Sequence, residues 1–215
     1  MAIRENHMSL FPIFVKLAQR RCLLVGAGEI ALQKIPSLLA AEAHLRVIAP
    51  RVRPEIAAIA AEGRLELIKR EFVDSDLDEI FLVVAATDNP AVNAAVHHGA
   101  VEHNILCNSV DDPPHCDFYF GSIVSRGDLQ IAISTAGESP ALSQRLRREI
   151  DEQLPIDLGP WLHDLGELRR EVLAAYPAGE ERKLLLHTLA QRDVCESREC
   201  PARKLVRLDQ KAVSV

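Results

Sequence analysis

The feature that most narrows what this chain can fold into is a glycine loop lying between two kinds of apolar pattern. Residues 22–25 read Cys-Leu-Leu-Val, a short uninterrupted apolar run, and Gly26-Ala27-Gly28-Glu29-Ile30-Ala31 follows at once. The spacing G-x-G-x-x-A has a physical cause. Gly26 permits a tight turn, Gly28 lets the backbone approach a pyrophosphate, and small Ala31 lets a helix pack close to a sheet. A helix that starts here offers unpaired backbone N–H groups to phosphates. The alternative is a glycine turn in an α/β fold that binds nothing. The strand-like run before the loop and the helical pattern after it favour a dinucleotide site.

The rest of the chain repeats that alternation. Residues 28–41 read as a helix interrupted by Pro36; an interior proline costs about 3 kcal/mol and usually kinks a helix. Residues 45–49, 65–68, 80–86 and 105–107 read as strands, and the run Ile80-Phe81-Leu82-Val83-Val84-Ala85-Ala86 is apolar enough for a central parallel strand. Helices are predicted at 54–62 and from Asn89-Pro90 to about His103, with Asn89 as cap and Pro90 in the first turn. Strand and helix in turn predict an α/β fold with a Rossmann-like, doubly wound parallel sheet.

The pattern changes after Asp112-Pro113-Pro114. Residues 118–124 and 129–134 read as a hairpin turning at Ser125-Arg126-Gly127-Asp128. Ser139 caps a helix in which Leu142, Leu146, Ile150 and Leu154 recur every four residues, and Pro155 ends it. From Asp157 the chain reads as helical to about Arg192, followed by a charged, weakly periodic tail. The expected division is a nucleotide-binding domain at 1–114, a hairpin-plus-helix dimerisation segment at 115–156, and a helical C-terminal domain at 157–215.

Composition excludes several classes of function. Of 215 residues 48% are apolar and 26% charged, so a sizeable core is available. The net charge of -6 offers no global field for nucleic acid. No run is long and apolar enough to cross a bilayer, and residues 1–14 lack the apolar core of a signal peptide. A cytoplasmic protein without a membrane or nucleic-acid partner is expected, with Cys22, Cys107, Cys116, Cys195 and Cys200 as reduced thiols.

One element departs from the usual dinucleotide fingerprint. About 20 residues beyond the glycines an Asp or Glu normally holds the ribose hydroxyls of NAD. Here the sequence is Ala49-Pro50-Arg51-Val52-Arg53. These arginines leave a 2′-phosphate open as a ligand; two solvated arginines near a helix start are the other reading.

The ordered set of motifs resembles one family. It comprises Phe11-Pro12-Ile13-Phe14, the glycine loop with Lys34 following, Val47-Ile48-Ala49-Pro50, and Ala85-Ala86-Thr87-Asp88. Further on it takes in Cys107-Asn108-Ser109-Val110-Asp111 and the run Ile133-Ser134-Thr135-Ala136-Gly137-Glu138-Ser139-Pro140. In that order and spacing, over roughly residues 8–155, they resemble the precorrin-2 dehydrogenase / sirohydrochlorin ferrochelatase family, which also forms the N-terminal module of siroheme synthases. The resemblance implies oxidation of precorrin-2 to sirohydrochlorin with NAD as cofactor. It also implies an interlocked homodimer. Some members insert ferrous iron, so ferrous or cobaltous ion is a second candidate substrate beside the tetrapyrrole.

The resemblance also implies residue roles. Gly26, Ala27, Gly28, Glu29, Ile30, Ala31, Pro50, Arg51, Ala86, Thr87, Asp88 and Asn108 would meet the cofactor. Asp111 would be the catalytic residue; it follows a predicted strand, at the carboxyl edge where such folds bind ligands, and removing a hydride and a proton needs a base within reach. Read without the family, Asp111 is equally a turn residue before Pro113. Ser134, Thr135, His115, Arg145 and Arg148 are the substrate-binding candidates. A polycarboxylate needs arginines, and Arg126 and Arg147 belong to the same pool, although a solvated helix face explains the α-helical arginines as well. His115 suits acid–base work or metal ligation, or is a plain surface histidine. Neither the adjacent His97-His98 pair nor Cys195 and Cys200 have zinc-site spacing, so no resident metal is expected.

Two rival functions remain. A non-catalytic NAD(P)-sensing regulatory domain needs the glycine loop but not the Asp111 or Ser134–Pro140 segments. A short-chain reductase is disfavoured because neither Tyr119 nor Tyr176 has a lysine four residues on.

Overall fold

The structure is a computed structural model that describes residues 10–191. Expectations for Cys195, Cys200 and the C-terminal tail lie outside the described residues. The described chain divides after Phe120 into two compact units.

The first unit, Leu10–Phe120, is built on a five-stranded parallel sheet. Its strands are β1 (Arg21–Val25), β2 (His44–Ile48), β3 (Glu66–Ile68), β4 (Leu82–Ala85) and β5 (Leu106–Ser109), in the order β3-β2-β1-β4-β5. The period of two in a strand explains why β1 is apolar throughout. Cys22 and Leu24 enter one core with Leu45, Val47, Leu82 and Val84. Leu23 and Val25 enter the opposite core with Ile48, Val83 and Ala85. Helix α1 (Glu29–Ala40) covers the first face through Ala31, Ile35 and Leu38, joined by Ile56 of α2 (Pro54–Ala61). Helix α3 (Pro90–Glu102) covers the second through Val96 and Ala100. The sheet is therefore doubly wound, as the alternation predicts.

Local chemistry sets the boundaries. The Asn89 side chain accepts a hydrogen bond from the Ala91 N–H, which makes it the cap the sequence predicts for α3. Helices α1 and α3 both end in a left-handed residue, Glu42 (φ 59°) and Asn104 (φ 56°). In each case the next N–H reaches back to the last turn, Ala43 to Leu38 and Ile105 to Ala100, delivering the chain straight into β2 and β5. The expected break at Pro36 does not occur: α1 runs through it. A proline removes one donor, but the buried face of Ala31, Ile35 and Leu38 spans the position and holds the turns on either side.

The second unit holds the hairpin β6 (Ser122–Arg126) and β7 (Leu129–Ile133) with helices α4 (Pro140–Gln153), α5 (Leu158–Ala175) and α6 (Glu180–Leu189). The last pair, Arg126 with Leu129, leaves a two-residue turn at Gly127-Asp128. Gly127 is left-handed (φ 58°), and a Cβ on it would lie 3.3 Å from the Gly159 Cα, so glycine meets glycine where the turn touches the start of α5. Ser139 caps α4 through Leu142 N–H, as expected.

Two expectations are corrected here. Residues 118–121 do not extend β6; Phe118 and Phe120 end a return segment of the first unit that leaves β5, and Gly121 opens the second unit. The helical stretch after Asp157 is two helices, separated at Tyr176–Gly179 where Pro177 stops α5. The face Leu142, Leu146, Ile150 and Leu154 of α4 is not buried within this unit: Leu142 is exposed and the other three are half-buried.

Candidate functional site

The strand order reverses at β1 and β4, and a crevice must open there because the connections leave the sheet in opposite directions. A cavity of about 680 Å³ occupies that place. It is lined by the loop after β1 (Gly26, Ala27, Gly28), the loop after β2 (Ala49, Pro50, Arg51, Val52, Arg53), the loop after β4 (Ala86, Thr87, Asp88, Asn89), and Glu71 and Phe72 beyond β3.

Backbone geometry builds most of it. Gly26 has φ 109°, and a Cβ there would lie 2.2 Å from the Ala86 carbonyl oxygen, so no other residue fits between the β1 and β4 ends. Its N–H donates to the Ile48 carbonyl at 2.8 Å, and the Ala86 N–H donates to Val25 at 2.8 Å, which ties three loops together. A Cβ on Gly28, by contrast, would meet nothing within 4 Å. No side chain caps α1 at Gly28, so its first N–H groups face the cavity mouth unpaired by a cap. Open space at a glycine beside free helix donors is what a pyrophosphate requires, and the residues present fit a dinucleotide.

Side chains then trim the cavity. Thr87 and Asn93 lock the loop after β4, the hydroxyl lying 2.6 Å from the Asn93 Oδ1 and the Asn93 amide donating to the Thr87 carbonyl at 3.2 Å. Arg70 donates two bonds to buried Asp76, at 2.6 and 2.7 Å, and a third to the Glu71 carbonyl, fixing the Glu71-Phe72 wall. Burial pushes the Asp76 carboxyl up, but the Arg70 fork, the Val73 N–H and the charges of Arg70 and Arg46 outweigh it and hold the carboxyl below its usual range. The two arginines near the expected ribose position are both engaged. Arg51 pairs with Asp88 at 3.2 Å across the cavity mouth, and Arg53 lies between Glu29 (3.0 Å) and Glu55 (2.8 Å).

Asp111 stands on a separate device at the same carboxyl edge. The Val110 N–H donates to the Ala85 carbonyl, so Asp111 begins one residue beyond a strand pairing and beside cavity-lining Ala86. The Asp112 N–H closes a turn onto Ser109, with Asp111 left-handed at φ 60°. That conformation favours glycine and is tolerated by Asp and Asn. The Asp111 carboxylate is exposed and makes no hydrogen bond or ion pair with any described residue. The next residues are fastened instead: His115 Nδ1 lies 2.6 Å from Asp112 Oδ2, and the His115 ring rests on His97 at 4.3 Å between centroids. Cys22 and Cys107 are buried, their thiols pushed up to about 11 and about 12, which makes them poor nucleophiles.

The structure brings together eight of the predicted cofactor residues on the cavity wall: Gly26, Ala27, Gly28, Pro50, Arg51, Ala86, Thr87 and Asp88. Glu29, Ile30 and Ala31 lie outside the lining, in the first turn of α1, where Ala31 is packed against the sheet. Asn108 is buried and bonds the Phe118 carbonyl (2.8 Å), so it holds the return segment. Among the substrate candidates, Arg145 pairs with Glu149 on its own helix and Arg148 is exposed. Ser134 and Thr135 accept bonds from the Ala136 and Ser139 N–H groups and shape the turn into α4. Arg126 is spent on structure: it donates to Asp151 and to the Asp151 and Leu154 carbonyls at the end of α4. Sequence reasoning missed Phe72 and Glu71, because only the order of the sheet brings β3 to the cavity. Arg53, weighed from the sequence beside Arg51, also lines the cavity. Among the described residues no group of three His, Cys, Asp or Glu is arranged to hold a metal ion, and no helix is long and apolar enough to cross a membrane.

A doubly wound parallel sheet with a glycine loop opening onto its crossover cavity defines a dinucleotide-binding protein. Residues 13–122 match the family described as "Putative NAD(P)-binding", and the chain belongs to that family. Residues 126–153 match the family described as "Sirohaem biosynthesis protein central". The chain is 38% identical to "Siroheme synthase 1" of Serratia proteamaculans over 186 residues, 86% of this chain and 39% of that protein. It is 42% identical to "Siroheme synthase 3" of Aeromonas hydrophila over 176 residues, 82% of this chain and 38% of the relative. It therefore spans about two fifths of the length of these curated relatives. A solved structure titled "SirC, precorrin-2 dehydrogenase" matches with a TM-score of 0.78 and 26% identity, covering 94% of this chain and all of that one.

Proposed function

We propose that the protein is an NAD-dependent dehydrogenase that oxidises precorrin-2 to sirohydrochlorin. The observation that carries the proposal is the unpaired Asp111 carboxylate, held at the carboxyl edge where the dinucleotide cavity also lies by the Val110 N–H bond to the Ala85 carbonyl. A non-catalytic nucleotide sensor has no use for it. The relatives named siroheme synthase and precorrin-2 dehydrogenase supply the substrate class.

In this reading the chain's residues divide the work. The Gly26–Gly28 loop and the start of α1 hold the pyrophosphate, and the clamped walls at Thr87 and Phe72 orient the two ends. A bound nicotinamide supplies the hydride acceptor. Asp111 receives the proton that the macrocycle gives up, and its freedom from internal partners leaves it available to do so. NAD is preferred to NADP because Arg51 and Arg53 already have carboxylate partners, and a 2′-phosphate would have to approach Asp88, Glu29 and Glu55.

Metal insertion is the second activity of this reading, with ferrous or cobaltous ion as substrate. It is favoured by the match of residues 126–153 to the sirohaem central family and by the free Asp111 carboxylate, which can take pyrrole protons. The working form in this proposal is a homodimer. The hairpin β6–β7 has two strands and hence two unpaired edges, with Ile123 at 46% exposure. The compartment this implies is the cytoplasm, where buried Cys22 and Cys107 stay reduced.

The test is anaerobic incubation with precorrin-2 and NAD, following NADH absorbance together with sirohydrochlorin. No turnover with either nicotinamide nucleotide would sink the dehydrogenase. Sirohydrochlorin with ferrous or cobaltous ion tests chelation separately, and a monomeric mass by light scattering at micromolar concentration rejects the dimer.

A further inference from the structure

Helix α1 turns Ala31, Ile35 and Leu38 onto the sheet, and Lys34 lies on the flank of that face. A lysine so close to a core normally lets its ammonium reach water or a carboxylate. Here it does neither fully. Lys34 is half-buried, and its Nζ sits 4.3 Å from the centroid of the Phe120 ring. No carboxylate of the described residues lies within ion-pair distance of it.

The position of Phe120 is fixed from β5. The Cys107 N–H donates to Asp117 Oδ2 at 2.9 Å, the Asn108 amide donates to the Phe118 carbonyl at 2.8 Å, and Phe118 packs on Phe120 with ring centroids 5.5 Å apart. The same strand carries Asp111 at its end. Helix α1 and the return segment thus bring a cation and a carboxylate into one neighbourhood without joining them. The charges still feel each other: burial draws the Lys34 ammonium below the ordinary lysine value, and the Asp111 charge pulls it back up. A partly desolvated ammonium without an anion is costly unless a ligand supplies one.

We propose that Lys34 is a substrate-binding residue whose ammonium receives one carboxylate arm of the tetrapyrrole and so brings the macrocycle to Asp111. It also offsets the charge that would otherwise repel a polycarboxylate from that aspartate. The inference rests on the tetrapyrrole reading given above.

Uroporphyrin, a stable macrocycle with eight carboxylates, serves as the probe, with its octamethyl ester as the uncharged control. Binding is read by fluorescence in the NAD-loaded, full-length protein. Lys34→Gln is expected to weaken the acid about tenfold, the loss of one charge-assisted contact, and to leave the ester unchanged. Lys34→Arg, which keeps the charge and the ring contact, should retain most of the affinity. With precorrin-2, Lys34→Gln should raise KM with kcat largely kept. NAD affinity and melting temperature check that the variant is folded; if it is not, Phe120→Leu frees the ammonium from its seat and should weaken the acid selectively. Equal acid binding by wild type and Lys34→Gln overturns the role of Lys34 alone. Failure of the wild type to bind the acid overturns the tetrapyrrole reading with it.

Discussion

The dinucleotide cavity and the Asp111 turn stand at the same carboxyl edge of one sheet and offer a ligand different groups. The cavity is made of backbone: a glycine with no room for a Cβ, a glycine with empty space beside it, and three loops tied by main-chain bonds. Of its charged side chains, Arg51 and Asp88 pair with each other and Arg53 pairs with Glu29 and Glu55. The turn is closed by main-chain bonds as well, but what it presents is a side chain, the Asp111 carboxylate, which pairs with no described residue. A cofactor shared by many proteins is held by groups every residue possesses. In the proposed function, the chemistry peculiar to one substrate is entrusted to groups that only particular residues supply.

The largest expected effect falls on the backbone-built region. Gly26→Ala puts a Cβ 2.2 Å from the Ala86 carbonyl oxygen. It should cost about 3–4 kcal/mol by urea denaturation and abolish NAD binding. Retention of both would mean the loops are not tied as described, and the contrast would fall.

Asp111→Asn should do the reverse. Asn tolerates the left-handed turn, so stability and NAD affinity should stay close to wild type, while precorrin-2 oxidation and any chelation fall by about 10²–10³-fold. Loss of NAD affinity in this variant would show that the two regions are one.

Asp76→Asn probes the side-chain clamp behind the Phe72 wall. Removing the charged partner of Arg70 should destabilise by about 2 kcal/mol near neutral pH. The sign of the pH effect follows from a carboxyl held below its ordinary value of 3.8. The stabilisation is present above that value and lost as pH falls through the lower folded one, so the two proteins should converge in acid. A constant difference down to acid pH would assign the effect to packing.

The smallest effect concerns Asp88→Asn. Freeing Arg51 from an exposed pair should raise NADP turnover relative to NAD by about two- to fivefold, less so in high salt. No change would place discrimination with Glu29 and Glu55.

The legible and the illegible parts of the molecule follow the same division. The glycine loop, the apolar strands, the Asn89 and Ser139 caps and the doubly wound sheet could be read in advance, because each depends on near neighbours along the chain or on a period of two or four. Cys22 to Val25 announce a strand buried on both faces, and the structure sorts them alternately into two cores. The hairpin is legible too, but not its start: Phe118 and Phe120 look like strand residues, while Asn108 fastens Phe118 and the Cys107 N–H holds Asp117 beside β5. Pro36 reads as a break, yet tertiary burial carries α1 through it.

The candidate site divides likewise. That Gly26 and Gly28 turn the chain at the end of β1, and that Asp111 stands at a strand end, follow from local spacing and from the ordered motifs. That Arg51, Arg53 and Arg126 are already occupied does not. Their partners Asp88, Glu29, Glu55 and Asp151 are set by the fold, three of the four beyond the reach of a sequence motif. Phe72 reaches the cavity because β3 lies at the sheet edge beside β2, and Lys34 meets Phe120 from a distant part of the chain. Sequence by itself determines which segments are strand, helix and glycine turn, since those choices are made by short-range sterics and periodicity. Which charges end up paired and which are left free for a ligand is decided by tertiary structure, because Coulombic and hydrogen-bonding partners are chosen by distance in space.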